Sequence, residues 1–140
     1  PNVDLKLLPK ILNTIHRGIQ SGKILACHDI SEGGLITALF EMCVGGNVGA
    51  TIDAAKNTSD SSEVKRPDLF LFNETAGCFV AEVETEQVAK RIFQEVPFSI
   101  LGRTQKEQKI KVLQNKKVLF SVGVAPLKKT WQEPMRRIFS

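Results

Sequence analysis

No apolar stretch in the chain approaches the roughly 20 residues that a membrane-spanning helix requires, so no transmembrane segment and no membrane partner are expected. The N-terminal region does not combine a basic segment with an apolar one, and no signal peptide is read there. Cysteine is scarce. Cys27, Cys43 and Cys78 are odd in number, widely spaced and flanked by apolar residues, which reads as reduced, buried thiols of a cytoplasmic protein. Neither Cys-x-x-Cys nor a His/Cys pair at zinc spacing occurs, which argues against a zinc site. Internal repeats and inter-domain linkers are also absent from the pattern. The 140 residues therefore read as one domain, 1–140, large enough for a hydrophobic core.

Acidic residues nearly vanish toward the end. Residues 101–140 hold ten Lys/Arg against two Asp/Glu, whereas residues 1–100 hold nine against thirteen. The net charge of +4 is thus −4 in the first part and +8 in the second. Such a basic end could meet nucleic acid, a phosphorylated ligand or an acidic protein surface. It could equally be a sheet edge guarded by lysines. Base-stacking aromatics are few there, only Phe120, Trp131 and Phe139 in apolar settings, so no nucleic-acid partner is expected.

What is present is a readable alternation of elements. Leu8, Leu12, Ile15 and Ile19 give one apolar helix face, opened by Pro9 and closed by Gly22. Lys23 to His28 reads as a short buried strand, and Leu35, Ala38, Leu39, Met42 and Cys43 as the next helix face, ending at Gly45-Gly46-Asn47. Val48 to Ala54 reads as a strand and residues 55–67 as a polar, flexible loop. Leu69–Phe72 and Cys78–Val83 read as two strands joined by a five-residue turn, followed by a helix capped at Thr85 and running to about Glu95. Strands are expected at Phe98–Leu101, Ile110–Leu113 and Val118–Val122, arranged as hairpins, then a helix from about Pro126 that Pro134 kinks or interrupts. The expected fold class is α+β, a mixed β-sheet with helices mainly on one face.

The most informative stretch is His28-Asp29-Ile30-Ser31-Glu32-Gly33-Gly34-Leu35. A strand ending in Asp and Ser, then a glycine pair at a helix start, is a corner suited to an anion and its metal. Helix-start N–H groups favour negative charge, glycines admit a phosphate to the backbone, and a carboxylate beside them can hold magnesium.

This motif, with the helix ending near Glu41-Met42 and Gly46, resembles the C-terminal domain shared by the aminoimidazole ribonucleotide synthetase family of ATP-using enzymes. Within it the resemblance is strongest to the phosphoribosylformylglycinamidine synthases. Leu71-Phe72-Asn73-Glu74 with Gly77, Ile100-Leu101-Gly102-Arg103-Thr104 and Leu127-Lys128-Lys129-Thr130-Trp131 support that choice, the last resembling a closing helix whose Leu and Trp pack the domain. The resemblance implies the last domain of a multidomain ligase that uses ATP and Mg2+ to convert formylglycinamide ribonucleotide and glutamine-derived ammonia to the amidine. Its implied partners are the ATP-binding domains of the same enzyme, a glutaminase subunit or domain, and the ribonucleotide substrate. The domain alone is expected to be inactive. If Ser140 is the natural terminus, the parent is the small form served by a separate glutaminase.

By resemblance Asp29 binds nucleotide-associated magnesium, and Ser31 contacts a nucleotide or substrate phosphate. Gly33 and Gly34 are read as presenting amides to that phosphate. Each also has a structural reading: Asp29 as a tether of the turn, Ser31 as N-cap of a helix beginning near Glu32, the glycines as sites of close packing. Glu74 and Thr75 lie in the turn that contacts ribonucleotide in a related domain through Glu-Ser-Gln; here Ala76 replaces the Gln. His28 reads as a hydrogen-bonded structural residue and Glu32 as solvated surface. Lys128, Lys129, Arg136 and Arg137 form either a solvated helix face or a dock for an acidic partner. Two alternatives remain: the equivalent domain of another ATP-dependent synthetase, or a non-catalytic module that binds RNA or protein.

Overall fold

The computed structural model describes residues 3–55 and 66–139. In chain order the elements are α1 (Leu8–Gln20), β1 (Ile24–Asp29), α2 (Gly34–Gly46), β2 (Gly49–Asp53), α3 (Pro67–Leu71), β3 (Phe79–Val83), α4 (Glu86–Ile92), β4 (Gly102–Gln105), β5 (Lys109–Gln114), β6 (Lys117–Gly123) and α5 (Val124–Phe139). This is an α+β arrangement, as expected. The strands, however, form two sheets. A pair β1-β3 is antiparallel, and a four-stranded mixed sheet has the order β4-β2-β5-β6, with β2 and β5 parallel.

Local chemistry sets the first elements. The Asp4 carboxylate accepts from the amides of Lys6 and Leu7 at 2.8 and 3.0 Å, leading into α1, where proline in the first turn lacks only an N–H that would go unused. The helix closes through Gly22, which takes a φ of +66°. The buried face differs from the expected one. Ile15 and Gly18 are buried and Leu8 and Ile11 half-buried, while Leu12 and Ile19 are exposed. Gly18 explains the rotation: without a side chain there, the helix presses onto Ile24, whose Cδ1 would lie 2.5 Å from an added Cβ.

Helix α2 is apolar all round, with Glu41 its single charged residue, as a helix enclosed on several sides must be. Leu39 and Cys43 join Ile52, Ile110 and Val112 in the main core, whereas Leu35 and Ala38 pack against Val80 of β3. The helix thus bridges the two sheets. It ends at Asn47, in the left-handed region at a φ of 53°, where the Gly45-Gly46-Asn47 breaker was expected.

Several expectations are corrected. Leu69–Phe72 is not a strand but the body of α3 and its cap. Pro67 opens it, and Arg66 grips Asp68 in the first turn, holding that carboxyl down at about 2 through the hydrogen bond. A short apolar run carries no period that separates a helical turn from a strand. Cys78–Val83 does supply a strand, but its partner is β1. The strand expected at Phe98–Leu101 lies later, at β4, and β4 and β5 form no hairpin because β2 lies between them. Among the described residues only β5-β6 is a hairpin, turned at Asn115 and Lys116 with φ of 51° and 67°. Helix α4 starts at Thr85 as expected, its Oγ1 accepting from the Val88 amide, but ends at Ile92. Helix α5 runs through Pro134 without a break.

Of the cysteines, only Cys43 is buried; Cys27 is half-buried and Cys78 exposed, and all three are free thiols. The aromatics of the basic end are less sheltered than expected, with Trp131 and Phe139 both exposed. The polar loop expected at 55–67 lies largely outside the described residues, which omit 56–65. No helix among the described residues is long and apolar enough to cross a membrane.

Candidate functional site

Asp29 is the last residue of β1 and lies opposite Phe79. Its carboxylate is 64% exposed and forms no hydrogen bond to the following turn, so the tether reading has no support from geometry. The neighbouring His28 is held on both ring nitrogens. Nδ1 lies 2.7 Å from the Asp29 carbonyl oxygen and Nε2 lies 3.2 Å from Glu41 Oε2 on α2. That is a bridge between strand and helix, in keeping with a structural histidine. Sequence reasoning did not find Glu41 as its partner, although a single carboxylate in an apolar helix was a signal that it needed one.

The glycine pair shapes the corner. Gly33 and Gly34 take φ of +79° and +72°, so α2 begins at Gly34 rather than near Glu32. Ser31 is therefore not the N-cap; that position belongs to Gly33, and no side chain caps it. A Ser31 cap would need helical φ at residues 32–34, which the two left-handed glycines exclude. Ser31 contributes its carbonyl instead, accepting from the Gly34 amide at 3.0 Å. The Thr37 hydroxyl donates to the Gly33 carbonyl at 3.0 Å.

The Gly33 amide donates to Glu74 Oε1 at 2.8 Å. Both amides expected to face an anion are therefore occupied by protein groups, one of them by a carboxylate. The turn that carries Glu74 is itself braced, with Thr75 Oγ1 donating to Asn73 Oδ1 at 2.6 Å. A Cβ on Gly34 would lie 2.6 Å from the Phe72 carbonyl carbon, so close packing is one reason for glycine there.

Of the residues singled out in the sequence, Gly33, Gly34 and Glu74 thus converge, Thr75 shares the turn, and Asp29 and Ser31 stand beside them, exposed. Glu32 is exposed, as expected, and the basic residues of α5 lie on a separate helix. No three His, Cys, Asp or Glu side chains among the described residues converge as a metal site. Asp29 offers one carboxylate, a donor set that suits only a magnesium whose other ligands are phosphate oxygens and water.

A feature that the sequence did not disclose adjoins the corner. An open, mainly apolar cleft of about 1070 Å³ lies between α1, β3, α2 and residues 96–104. Ile30, Leu35 and Thr75 line it, so the corner stands at its rim.

Residues 1–115 match the family described as AIR synthase related protein, C-terminal domain. The chain belongs to this family. It is 31% identical, over 99% of its length, to a phosphoribosylformylglycinamidine synthase subunit PurL from Deinococcus radiodurans, and 34% identical over 86% to the one from Thermococcus sibiricus. The chain spans only 18% and 17% of those two relatives. Its fold is similar to that of Thermotoga maritima PurL complexed with FGAR, with a TM-score of 0.70 at 20% identity, covering 89% of this chain and 21% of the other. Against the same protein complexed with ATP, the TM-score is 0.66 at 21% identity, covering 84% of this chain and 21% of the other. At such identities these likenesses speak for the AIR synthase-related fold alone.

Proposed function

We propose that residues 1–140 are the C-terminal domain of a phosphoribosylformylglycinamidine synthase, the ATP-dependent ligase that makes formylglycinamidine ribonucleotide in purine biosynthesis. The observation that carries this reading is the Gly33–Glu74 hydrogen bond. It joins the His-Asp-x-Ser-x-Gly-Gly stretch to the Asn-Glu turn, two of the segments that carry the resemblance to these synthases. The 31% identity to a PurL subunit, over 99% of this chain and 18% of that one, supports it further.

In this reading the apolar cleft receives the ATP-binding domains of the same polypeptide, and a glutaminase supplies ammonia. The 140 residues alone do not turn over, and the parent works in the cytoplasm. Asp29 would hold a nucleotide-associated magnesium ion, which would supply neutralisation of phosphate charge. Ser31, Gly33 and Gly34 line the place of the phosphate, and the turn that carries Glu74 and Thr75 governs access to it. While the Glu74 carboxylate sits on the Gly33 amide, an incoming phosphate meets a negative charge instead of a donor. A phosphate gains that amide only as the 73–75 turn withdraws, which couples ligand entry to movement of the turn.

The test uses the full-length parent enzyme. Incubated with formylglycinamide ribonucleotide, ammonia and magnesium-ATP, it should form the amidine; no amidine would overturn the assignment. Asp29→Asn should lower the nucleotide retained through purification while leaving the fold, read by circular dichroism, intact. Undiminished nucleotide together with normal amidine formation would remove Asp29 from the site and leave the family reading standing.

A further inference from the structure

We infer that His28 and Glu41 are positioning residues for Asp29, holding its carboxylate in place relative to the glycine pair at the start of α2. The inference rests on the site proposed above and names what keeps that site in shape. The Asp29 carboxylate is exposed and bonds to no group of the following turn among the described residues. Its direction is set through its own peptide, and His28 grips that peptide from the side. A carbonyl oxygen can only accept, so Nδ1 of His28 bears the proton in the 2.7 Å contact with the Asp29 carbonyl. The same nitrogen lies 3.5 Å from Asp29 Oδ1, so one edge of the ring meets both the backbone and the acid. The far edge is tied to the helix, with Nε2 3.2 Å from Glu41 Oε2.

Glu41 stands seven residues past Gly34, about two turns along α2. The contact therefore grips the body of the helix whose front carries the glycine pair. No side chain caps that front. The Glu74 carboxylate holds it at the Gly33 amide, but that hold is given up when a phosphate takes the amide. The His28–Glu41 contact involves only strand and helix, so it outlasts withdrawal of the 73–75 turn. It keeps the acid at the end of β1 and the amides at the start of α2 at one spacing, with ligand or without. Stability does not account for the pair. Its side chains are 32% and 33% exposed, where a polar pair adds little. Two apolar side chains would hold α2 on β1 at least as well. Bracing a metal-binding carboxylate from behind is a setting in which such a pair does contribute.

The experiment measures binding of magnesium with a non-hydrolysable ATP analogue to the full-length parent enzyme by equilibrium dialysis, following the component that Asp29→Asn weakens. His28→Leu/Glu41→Leu should raise the Kd of that component at least about tenfold. Glu41→Gln, whose amide can still bond to Nε2, should stay close to the unsubstituted enzyme. With nucleotide stripped from both, the leucine variant should melt no lower than the unsubstituted enzyme, which a merely structural bridge would not allow. In an Asp29→Asn background the two leucines should have little further effect, because the pair acts through Asp29. Unchanged affinity in the leucine variant would overturn the inference and leave the Asp29 site standing, as would equal weakening in both backgrounds. A lower melting temperature would overturn it by reducing the pair to a structural bridge, and so would Glu41→Gln binding no better than the leucine variant. If Asp29→Asn weakens no component, the site itself falls and the inference falls with it.

Discussion

The amide of Gly33 and the carboxylate of Glu74, 41 positions apart, meet at 2.8 Å and fasten the turn after α3 to the start of α2. A backbone donor bound by an ionised acceptor is among the stronger hydrogen bonds, though Glu74 is exposed and water competes for it. Glu74→Ala should lower stability by about 1 kcal/mol. Glu74→Gln should cost less, because its amide oxygen can still accept. Urea unfolding midpoints of the two variants decide this; equal loss in both would mean that the contact contributes through charge rather than through the hydrogen bond.

Two left-handed glycines should respond very differently to the same substitution. A methyl group added at Gly22 would meet nothing within 4 Å, so Gly22→Ala should cost only the backbone term of about 1 kcal/mol. At Gly34 the methyl would strike the backbone of Phe72, which cannot swing aside as a side chain would. Gly34→Ala should therefore cost more than about 3 kcal/mol. Thermal melts of both variants against the parent chain measure the difference.

Leu39 and Leu25 are alike in composition and opposite in setting. Leu39 belongs to the main core, and Leu39→Ala should destabilise by about 2–5 kcal/mol. Leu25 points outward from β1, and Leu25→Ala should stay within about 0.5 kcal/mol. A large loss at Leu25 in denaturant titration would show that its face of β1 is covered in solution.

Thiol chemistry should sort the three cysteines. Burial, with a smaller push from Glu82, drives the Cys43 thiol up to about 11, so almost no thiolate is available there near neutral pH. Burial also raises Cys27, against a lowering hydrogen bond with His28. Cys78 is exposed. Ellman's reagent should find one fast thiol in the native protein, lost in Cys78→Ser, and should reach Cys43 only in denaturant.

The sequence disclosed most where period and punctuation agreed. Helix α1 was bracketed by Pro9 and Gly22, α2 by its glycine terminus, α4 by Thr85, and the β5-β6 hairpin by its polar turn. It disclosed least where the decisive contact is distant. Nothing in Leu69–Phe72 told a helical turn from a strand, and only the position of β2 in the sheet separates β4 from β5. Gly18 shifted the buried stripe of α1 through a contact with Ile24 that periodicity could not register. At the corner, the residue types were legible but the partnership of Gly33 with Glu74 was not, because spacing along the chain carries no trace of it.

The parallel ladder that sets Ala50 beside Ile110 and Ile52 beside Val112 has a kinetic side. Strands β2 and β5 cannot register until α3, β3, α4 and β4 have been accommodated between them, so the middle of the larger sheet closes late. During synthesis β2 waits for β5, its parallel partner, with Ile52 lacking Val112 beside it until then. The β5-β6 hairpin, by contrast, can zip within itself as soon as it emerges, and its docking on β2, which β4 can reach first, completes the sheet.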